Sequence, residues 1–480
     1  MGISIAMNSA VSGLTAAARG VQVASSNIAN AMTEGYAPRK LQLGAVVVGG
    51  QGAGVRVLGV ERQVDPVLTG FVRQAGADRA GAEATARFWA NFETAIGAPD
   101  DAFALAGRLA TFETALVSAA NRPDMDQRLA AVATAAGALA QEFHALERHV
   151  QQARLESDRA IARQVADLND GLSRLARLNG EIVSLSASGE PPLALLDERQ
   201  ALITRLAEIV PLREYNSPEG RSVLYTEGGQ LLLDVTPSVV GFVPASGIEP
   251  ASTRENGLST LTLNGRPVGN PGEGGPFAGG RLAALFEVRD THAVAAQTEL
   301  DRMAAELITR FEAPGIDPTA PGIPGLFNDA QLMLAPPPEP GLAGRIALNA
   351  SVQPPELWRL REGLGVNAAD PRGPVGDPTQ LNRWIEALQN PFAAQPGHTA
   401  ASYRDNVGRA LSVISQARQG AEDHQSHASA RATELHERVL AKGVDTDAEM
   451  QRLVLIEQAY AANARLIQVA DQMLRRLMEI

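Results

Sequence analysis

Three histidines in the last sixty residues are the first candidates for chemistry in this sequence. His424 and His427 are three residues apart, so a helix would place both imidazoles on one face, and His436 follows on the same segment. Imidazole nitrogens are common ligands of zinc and other transition metals. No carboxylate cluster accompanies them at matching offsets. The pattern therefore favours a solvent-exposed helix face over a metal site.

Three acidic residues and one glycine-rich run are the next candidates. Asp445, Asp447 and Glu449 resemble the start of a calcium loop, but the loop glycine and the later bidentate glutamate are absent. Acidic residues at the positive end of a helix dipole explain this spacing better. The run GGQGAG, residues 49–54, lacks the Lys and Ser/Thr of a phosphate loop and is better explained as a hairpin turn.

No Ser/His/Asp arrangement has a local signature of catalysis. We therefore predict no catalytic residue, no cofactor-binding residue, no metal ligand and no cofactor, and the protein is not expected to be an enzyme. A structural or binding role has to be sought in the elements themselves.

The composition excludes several other functions. The net charge of −12, without any strongly basic stretch, disfavours nucleic-acid binding, because phosphate neutralisation needs clustered Lys and Arg. No apolar run approaches the ~20 residues that cross a bilayer, and no cleavable secretory signal is expected at the amino terminus. Cysteine is absent, which excludes disulfides and thiolate metal sites. The alanine-rich, tryptophan-poor composition favours long packed helices.

Both ends of the chain are predicted to be helices with a heptad-like apolar seam. Gly35 and Pro38 follow the first helix, and a capping box of Thr446 and Glu449 is predicted to begin the last one. The first seam consists of Ile3, Met7, Ala10, Leu14, Ala17, Val21, Ala24, Ile28 and Ala31. The last seam consists of Leu453, Ile456, Tyr460, Asn463, Ile467, Ala470, Leu474 and Leu477.

Two heptad helices at opposite ends of one chain predict that the ends pair with each other. Two independent amphipathic helices on one globular body are the alternative. A polar residue on a seam, here Asn463, can fix the register of pairing, or it can simply tolerate solvent.

Between the ends, helical and hairpin patterns alternate. Residues 41–65 predict a strand pair, and residues 71–210 predict helices. Gly228-Gly229 and Asn264-Gly265 each separate two short apolar runs, as in tight hairpins. Helix is predicted again from Arg281 to Phe311 and from about Ala401 onward.

The ends resemble a known family of proteins. Residues 8–14 (NSAVSGL), 25–30 (SSNIAN) and 34–36 (EGY) are similar to the shared amino-terminal signature of flagellar rod, hook and hook-associated proteins. Residues 458–467 (QAYAANARLI) and 470–474 (ADQML) are similar to their carboxy-terminal signature.

The middle resembles one branch of that family, the hook-associated protein 1 or FlgK family of hook–filament junction proteins. Residues 195–202 (LLDERQAL) and 279–290 (GGRLAALFEVRD) carry this likeness, and residues 346–349 (IALN) followed by Pro354 carry it more weakly. Only about twenty Pro-rich residues separate Phe327 from Arg345, where larger members have an outer domain. That domain is therefore expected to be missing or vestigial.

The expected fold is mainly α, with paired terminal coiled-coil helices and an elongated helical-bundle domain with attached β-hairpins. The predicted domains are a terminal coiled coil (1–34 with 443–480), a β-hairpin linker (35–69), a helical body (70–210 with 279–312 and 400–442), a β-hairpin part (211–278) and a Pro/Gly-rich region with a reduced outer domain (313–399).

The resemblance implies a structural subunit that is exported through the flagellar type III apparatus and is located outside the cell in the flagellum. The implied partners are further copies in a ring, hook protein, the second junction protein (hook-associated protein 3) and an export chaperone at the carboxy-terminal helix; neither nucleic acid nor membrane is a predicted partner. The candidate assembly residues are Ile3, Met7, Leu14, Val21, Asn27, Ile28, Asn30, Leu453, Tyr460, Asn463, Ile467, Leu474 and Leu477.

Two other functions stay open at this point. A hook or distal-rod protein shares both terminal signatures but would carry a strand-rich middle, which the helical stretch from residue 71 to 210 opposes. A secreted enzyme that uses flagellar export ends would need a clustered acid/base site in the region 313–400.

Overall fold

The computed structural model describes residues 2–33, 35–48, 51–189, 191–367, 369, 373–392 and 400–478. Long helices dominate these residues, and the strands are few and short, so the predicted mainly-α class is confirmed. Within the described residues, no helix is both long enough and apolar enough to cross a membrane. Glu34 of the amino-terminal signature and residues 393–399 of the Pro/Gly-rich region lie outside the described residues.

The helices are α1 (Gly2–Ala29), α2 (Pro66–Ile96), α3 (Leu105–Asn121), α4 (Asp126–Ala187), α5 (Leu193–Ile209), α6 (Gly280–Glu287), α7 (Ala293–Glu312), α8 (Arg359–Glu362), α9 (Thr379–Gln389), α10 (Tyr403–Ala441) and α11 (Thr446–Met478). The strands are β1 (Arg39–Val48), β2 (Gln51–Arg62), β3 (Leu212–Asn216), β4 (Ser222–Thr226), β5 (Leu231–Leu233), β6 (Val240–Gly241), β7 (Thr262–Leu263), β8 (Arg266–Pro267), β9 (Phe327–Asp329) and β10 (Ile346–Leu348).

The chain forms two compact units. The first consists of Met1–Ala80, Asp167–Val239 and His427–Ile480, and the second consists of Gly81–Ala166 and Val240–Ser426. These limits group the chain differently from the predicted domains, since parts of the predicted helical body fall in each unit. The predicted domain limits stay predictions.

In the first unit the two terminal helices pack against each other, as their seams predict, and the β1–β2 hairpin lies along α1. The seam on α1 is partly wrong, however. Its Val21 is exposed, whereas Val23 and Asn27, which lie off the predicted seam, are buried. The reason is that α1 is covered by two neighbours, the hairpin and α11, so its buried surface is wider than one heptad stripe and is turned toward both.

The start of α11 differs from the predicted capping box. Oδ1 of Asp445 accepts hydrogen bonds from the backbone N–H groups of Asp447 and Ala448, both at 3.0 Å, so Asp445 is the capping residue. Thr446 is already inside the helix. Glu449 is free of the capping role and reaches α1 instead, as described below.

A three-stranded antiparallel sheet in the order β3-β4-β5 completes the first unit. The β4–β5 turn contains Gly229 at φ +83°, which confirms the predicted Gly228-Gly229 hairpin. The pairing of β3 with β4 was not predicted. Arg73 on α2 pairs with Glu214 on β3 at 2.7 Å, and Ser222 donates to the same carboxylate at 2.6 Å. Burial alone would raise the pKa of Glu214, but Arg73 and Ser222 together hold that pKa below its ordinary value.

The second unit has one continuous hydrophobic core. Helix α3, the amino-terminal half of α4, α7 and α9 contribute to it, and Phe311 lies at its centre between the rings of Phe112, Phe327 and Trp384. The predicted Asn264-Gly265 hairpin is present as β7–β8, with φ of +50° and +78° at its two turn residues.

The region 313–399 is more ordered than its Pro- and Gly-rich composition predicted. Helix α9 was missed altogether, and its Leu381, Trp384 and Leu388 are buried in the core of the second unit. Strands β9 and β10 pair at the two ends of the segment between Phe327 and Arg345. An ion pair of 2.9 Å between Arg345 and Asp329 closes that segment.

The block GGRLAALFEVRD forms α6 and a following turn of π-helix. This turn places Arg289 in the interior, where its guanidinium lies 2.6 Å from Asp158 and 2.7 Å from Asp290. Although burial alone would lower the pKa of Arg289, the two carboxylates raise it above its ordinary value. The motif therefore supplies a compensated buried charge, since an unpaired one would be costly.

Candidate assembly interface

The structure brings the predicted residues of the two termini together on one helix pair. On α1, Ile3, Met7, Leu14, Ile28 and Asn30 are half-buried, Asn27 is fully buried and Val21 is exposed. On α11, Leu453, Asn463 and Ile467 are half-buried.

Two of the predicted seam residues on α11 are exposed in this chain. The exposed fraction is 49% for Tyr460 and 37% for Leu474. The side chain of Leu477 lies outside the described residues. The heptad pattern therefore marks an apolar face on α11 that α1 covers only in part.

Close approach of the two helices depends on glycines of α1. A Cβ atom on Gly13 would lie 2.6 Å from Nδ2 of Asn463, and one on Gly20 would lie 2.9 Å from Cδ1 of Ile456. Larger residues at these positions would push α11 away. Asn463 thus sits against the backbone of α1, and its role in fixing register stays a prediction.

Asn27 is the polar centre of this region, with an exposed fraction of 0%. Its Nδ2 donates to the carbonyl of Arg39 at 2.9 Å and to Oε1 of Glu449 at 2.8 Å. Its Oδ1 accepts from the hydroxyl of Tyr36 at 2.8 Å and from the backbone N–H of Arg39 at 3.0 Å. One amide therefore joins α1, the start of β1 and the start of α11, and all of its hydrogen-bonding capacity is used.

Asn30 has a more local role. Its Nδ2 donates to the carbonyl of Ser26 at 2.9 Å, within the last turn of α1. This bond satisfies a carbonyl at the helix end. Of the two asparagines in SSNIAN, only Asn27 therefore connects separate elements through its side chain.

A charged clamp holds the open end of the hairpin to α5. Asp197, from the block LLDERQAL, accepts from Nη2 of Arg39 at 3.1 Å and from Nε of Arg62 at 2.9 Å. The two arginines face each other in the strand ladder. The backbone N–H of Ala37 also donates to Asp197, at 3.3 Å. One carboxylate therefore fixes both strands.

Gly35 explains why the signature EGY precedes the hairpin. Its φ is +79°, in the left-handed region that favours glycine, and a Cβ there would lie 2.9 Å from Cβ of Ala201 on α5. Tyr36 then turns toward Asn27, and the guanidinium of Arg39 lies 4.9 Å from the centre of its ring. The signature thus directs the chain from α1 across α5 into β1.

The remaining surface of α11 is unusually apolar for a helix in contact with solvent. Among its described side chains only Ala470 is fully buried. The exposed apolar residues are Met450, Val454, Leu455, Tyr460, Leu466, Val469, Met473, Leu474 and Met478. So large an exposed apolar surface is typical of a protein–protein contact.

The candidates for metal chemistry are placed differently. His424, His427 and His436 are exposed on α10. In the part of the chain that the structure describes, no group of three or more His, Asp or Glu side chains could hold a metal ion. Asp445 caps α11, and Glu449 bonds Asn27, so these two acids have partners within the protein.

Three segments of this chain match known protein families. "Flagellar hook-associated protein FlgK helical domain" matches residues 89–314. "Flagella basal body rod protein" matches residues 7–36, and "Flagellar basal body rod FlgEFG protein C-terminal" matches residues 438–480. The two rod families therefore cover most of α1 and all of α11.

The curated relatives that this chain matches are flagellar hook-associated proteins. Flagellar hook-associated protein 1 of Salmonella typhimurium is 30% identical over 263 residues, which are 52% of this chain and 46% of that protein. Its counterpart in Bacillus subtilis is 25% identical over 228 residues, 45% of each chain. The chain is thus similar to the FlgK family of flagellar hook-associated proteins over its helical middle, and to rod-protein families at both ends.

The chain spans about half the length of the curated relatives it matches. Among solved structures, the flagellar hook junction protein FlgK from Burkholderia pseudomallei gives a TM-score of 0.44 at 20% identity, over 54% of this chain and 46% of that one.

Asp197 and Glu449 are the residues that sequence reasoning missed as site residues. Both were noticed, Asp197 as part of a family motif and Glu449 as part of a capping box, but neither was assigned a partner. The available signal for Asp197 was an acid inside a leucine-rich helix block, since a buried acid needs a compensating charge, but the adjacent Glu198 carries the same signal.

Proposed function

We propose that this protein is a structural subunit that forms the junction between the hook and the filament of the bacterial flagellum, and that it is not an enzyme. The observation that carries the proposal is the apolar surface that α11 leaves exposed beside α1. It occurs in the two segments that match rod-protein families, while the FlgK helical-domain match lies between them.

Assembly would bury this surface. Each apolar side chain removed from water contributes roughly 1.5–3 kcal/mol when it is fully covered. In a ring of copies every subunit makes the same contact with its neighbours, so modest pairwise affinities add up through effective concentration. The proposed partners are further copies of this chain, hook protein and hook-associated protein 3.

The exposed apolar surface of α11 is also compatible with export of the chain before assembly. Among the described side chains of α11 only Ala470 is buried, and α1 depends on α11 for part of its cover, so we propose that residues 1–34 and 445–480 are mobile and protease-sensitive in a dilute monomer, whereas 70–440 resists. The chain would then pass through the flagellar export apparatus to a position outside the cell. A chaperone bound to α11 would cover its exposed apolar surface until assembly. Limited proteolysis of the monomer tests whether the termini are mobile before assembly. Termini that resist the protease would contradict the proposal.

Two alternative functions would require different structural features. A hook or distal-rod protein would share the terminal helices, but the FlgK helical-domain match at residues 89–314 favours the junction protein. A secreted enzyme would need an acid/base cluster in the region 313–400. Phe327, Leu360 and Trp384 of that region lie instead in the packed core of the second unit.

Electron microscopy of a strain that lacks the gene tests the proposal. A junction subunit predicts hooks of normal length without filaments, together with flagellin in the medium. A missing hook would favour the hook-protein alternative, and intact filaments would exclude all of these structural functions. Expression of the wild-type gene from a plasmid serves as the control and should restore filaments.

A further inference from the structure

Two separate sets of contacts hold the β1–β2 hairpin. At its open end, Arg39 and Arg62 contact Asp197 on α5. Along its length it contacts α1, through Asn27 at the backbone of Arg39 and through Oγ of Ser12, which accepts from the backbone N–H of Val55 at 3.1 Å. Nη1 of Arg39 also donates to Oγ of Ser26 on α1, at 3.4 Å, but the ion pairs with Asp197 themselves do not involve either terminal helix.

The contacts with Asp197 should hold the open end of the hairpin stably on α5. The side chains of Arg39, Arg62 and Asp197 are only 18%, 14% and 13% exposed, so water screens their charges little. Charge-assisted bonds from two arginines to one carboxylate are about twice as strong as neutral ones. Gly35 adds a close contact with Ala201 next to the clamp.

The contacts with α1 require that the hairpin already has its position. The side-chain amide of Asn27 forms hydrogen bonds with both the N–H and the carbonyl of Arg39. It therefore fits only one position of that backbone. Ser12 and Asn27 are 15 residues apart, about 22 Å along a helix, and the hairpin contacts α1 at both places. A hairpin that is fixed in advance therefore defines both the position and the register of α1.

We propose that Asp197 is a positioning residue that holds the hairpin as a preformed template, on which α1 folds when the subunit assembles. This rests on the proposed function, because it assumes that α1 is mobile before assembly. Holding the template in its bound conformation lowers the ordering cost that association must overcome. The block LLDERQAL thus serves the terminal helices as well as the packing of α5.

Spin labels on the full-length monomer measure the template directly. The chain contains no cysteine, so Val47→Cys near the hairpin tip and Arg205→Cys on α5 give a single defined pair, both at exposed positions. A narrow distance distribution is expected for this pair. Asp197→Asn should broaden it, because the uncharged amide no longer compensates two arginines.

Glu198→Gln is the matched control. It removes a neighbouring acid on the same helix, whose ion pair with Arg174 joins two half-exposed side chains, and it should leave the distribution narrow. Arg62→Gln tests the clamp from the hairpin side, should Asp197→Asn fail to fold. An unchanged distribution in the clamp variants, or equal broadening by Glu198→Gln, would overturn the proposal.

Complementation of the deletion strain then tests the coupling to assembly. Asp197→Asn is expected to be secreted as folded protein but to restore few or no filaments, whereas Glu198→Gln restores them as the wild type does. Full restoration by a variant with a broadened distribution would overturn the template role. Failure of the proposed function would be visible separately, as filaments in the deletion strain before any variant is introduced.

Discussion

Helices α7 and α11 have similar apolar content but opposite surroundings. In α7, eleven of twenty residues are buried, and they include Leu300, Leu307 and Phe311. In α11, Ala470 alone is fully buried among the described side chains, while Leu466, Met473 and Leu474 are exposed. The periodicity of a helix thus shows that it has an apolar face, but not whether its own chain covers that face. The uncovered helix is the one that matches the carboxy-terminal family of flagellar rod proteins.

Their charges differ in the same way. Arg310 on α7 pairs with Glu306 at 2.8 Å, and both side chains are almost fully buried. Arg475 on α11 pairs with Asp471 at 3.0 Å on the surface. Surface pairs of this kind contribute about 0–1 kcal/mol, whereas removing one partner of a buried pair costs roughly 3–5 kcal/mol. Loss of a charged partner should therefore destabilise α7 far more than α11.

Truncation of Phe311 should have the largest effect on stability. Phe311→Ala removes a ring from the centre of the second unit's core and leaves a cavity, at a cost of about 3–5 kcal/mol. Urea unfolding followed by hydrogen exchange of peptides from residues 105–121 would measure it. Met473→Ala on α11 is the control, with an expected change below about 0.5 kcal/mol. Equal losses for both would show that α11 is packed as tightly as α7.

Loss of the Glu214 carboxylate should come next and should depend on pH. Glu214→Gln leaves Arg73 without its partner, at a cost of about 1.5–3 kcal/mol at neutral pH. Because the folded pKa of Glu214 lies below its ordinary value, the ion pair stabilises the protein fully above the ordinary carboxyl range, and this contribution disappears as pH falls through the folded pKa.

The difference between wild type and Glu214→Gln should therefore shrink on acidification, since a protonated Glu resembles Gln. Unfolding titrations at several pH values between neutral and acid would measure it. A difference that stays constant over that range would mean that the charge of Glu214 contributes nothing to the first unit.

Gly35→Ala should cost about 2 kcal/mol in the first unit, because it combines a left-handed backbone with a close contact at Ala201. Gly229→Ala is the matched control. Its φ is +83°, but nothing lies within 4 Å of the added Cβ, so only the backbone penalty of about 1 kcal/mol applies. Thermal unfolding of both variants isolates the contact with α5, and equal costs would mean that this contact is absent in solution.

The smallest effect on stability is expected for Leu474→Asp. Because Leu474 is exposed in the single chain, the unfolding free energy should change by less than about 0.5 kcal/mol. In the assembled junction the same charge would lie on a buried apolar surface, where it is costly. Filaments and motility should therefore be lost, while Leu474→Met retains both. A large fall in melting temperature would instead show that α11 is packed on its own chain.

Local patterns predicted much of this fold. Asn264-Gly265 marked a hairpin because both residues accept a positive φ, and the heptads of α1 and α11 marked helices that pair. Helix α9 carried a usable signal in Leu381, Trp384 and Leu388, which share one helix face, but the surrounding prolines concealed it.

The site was less accessible to such patterns. Asp197 contacts Arg39 and Arg62 across 158 and 135 positions of sequence, and no local periodicity encodes a pairing of that kind. Burial on α1 also could not be predicted from its own sequence, because it depends on the hairpin that lies beside it. Sequence motifs therefore pointed to residues that join distant elements, but the partners of those residues could not be predicted.

The short pairing of β9 with β10 has a practical consequence for protein engineering. Asp329 and Ile346 face each other in the ladder, so the chain leaves and re-enters the second unit at adjacent points. Because the entropy of closing a loop grows only slowly with its length, each doubling costs about 0.6 kcal/mol more. Foreign peptides grafted between Ala335 and Pro340, an exposed stretch that follows the core-packed Leu334, should therefore be carried without loss of the core, which would make this loop a point for peptide display.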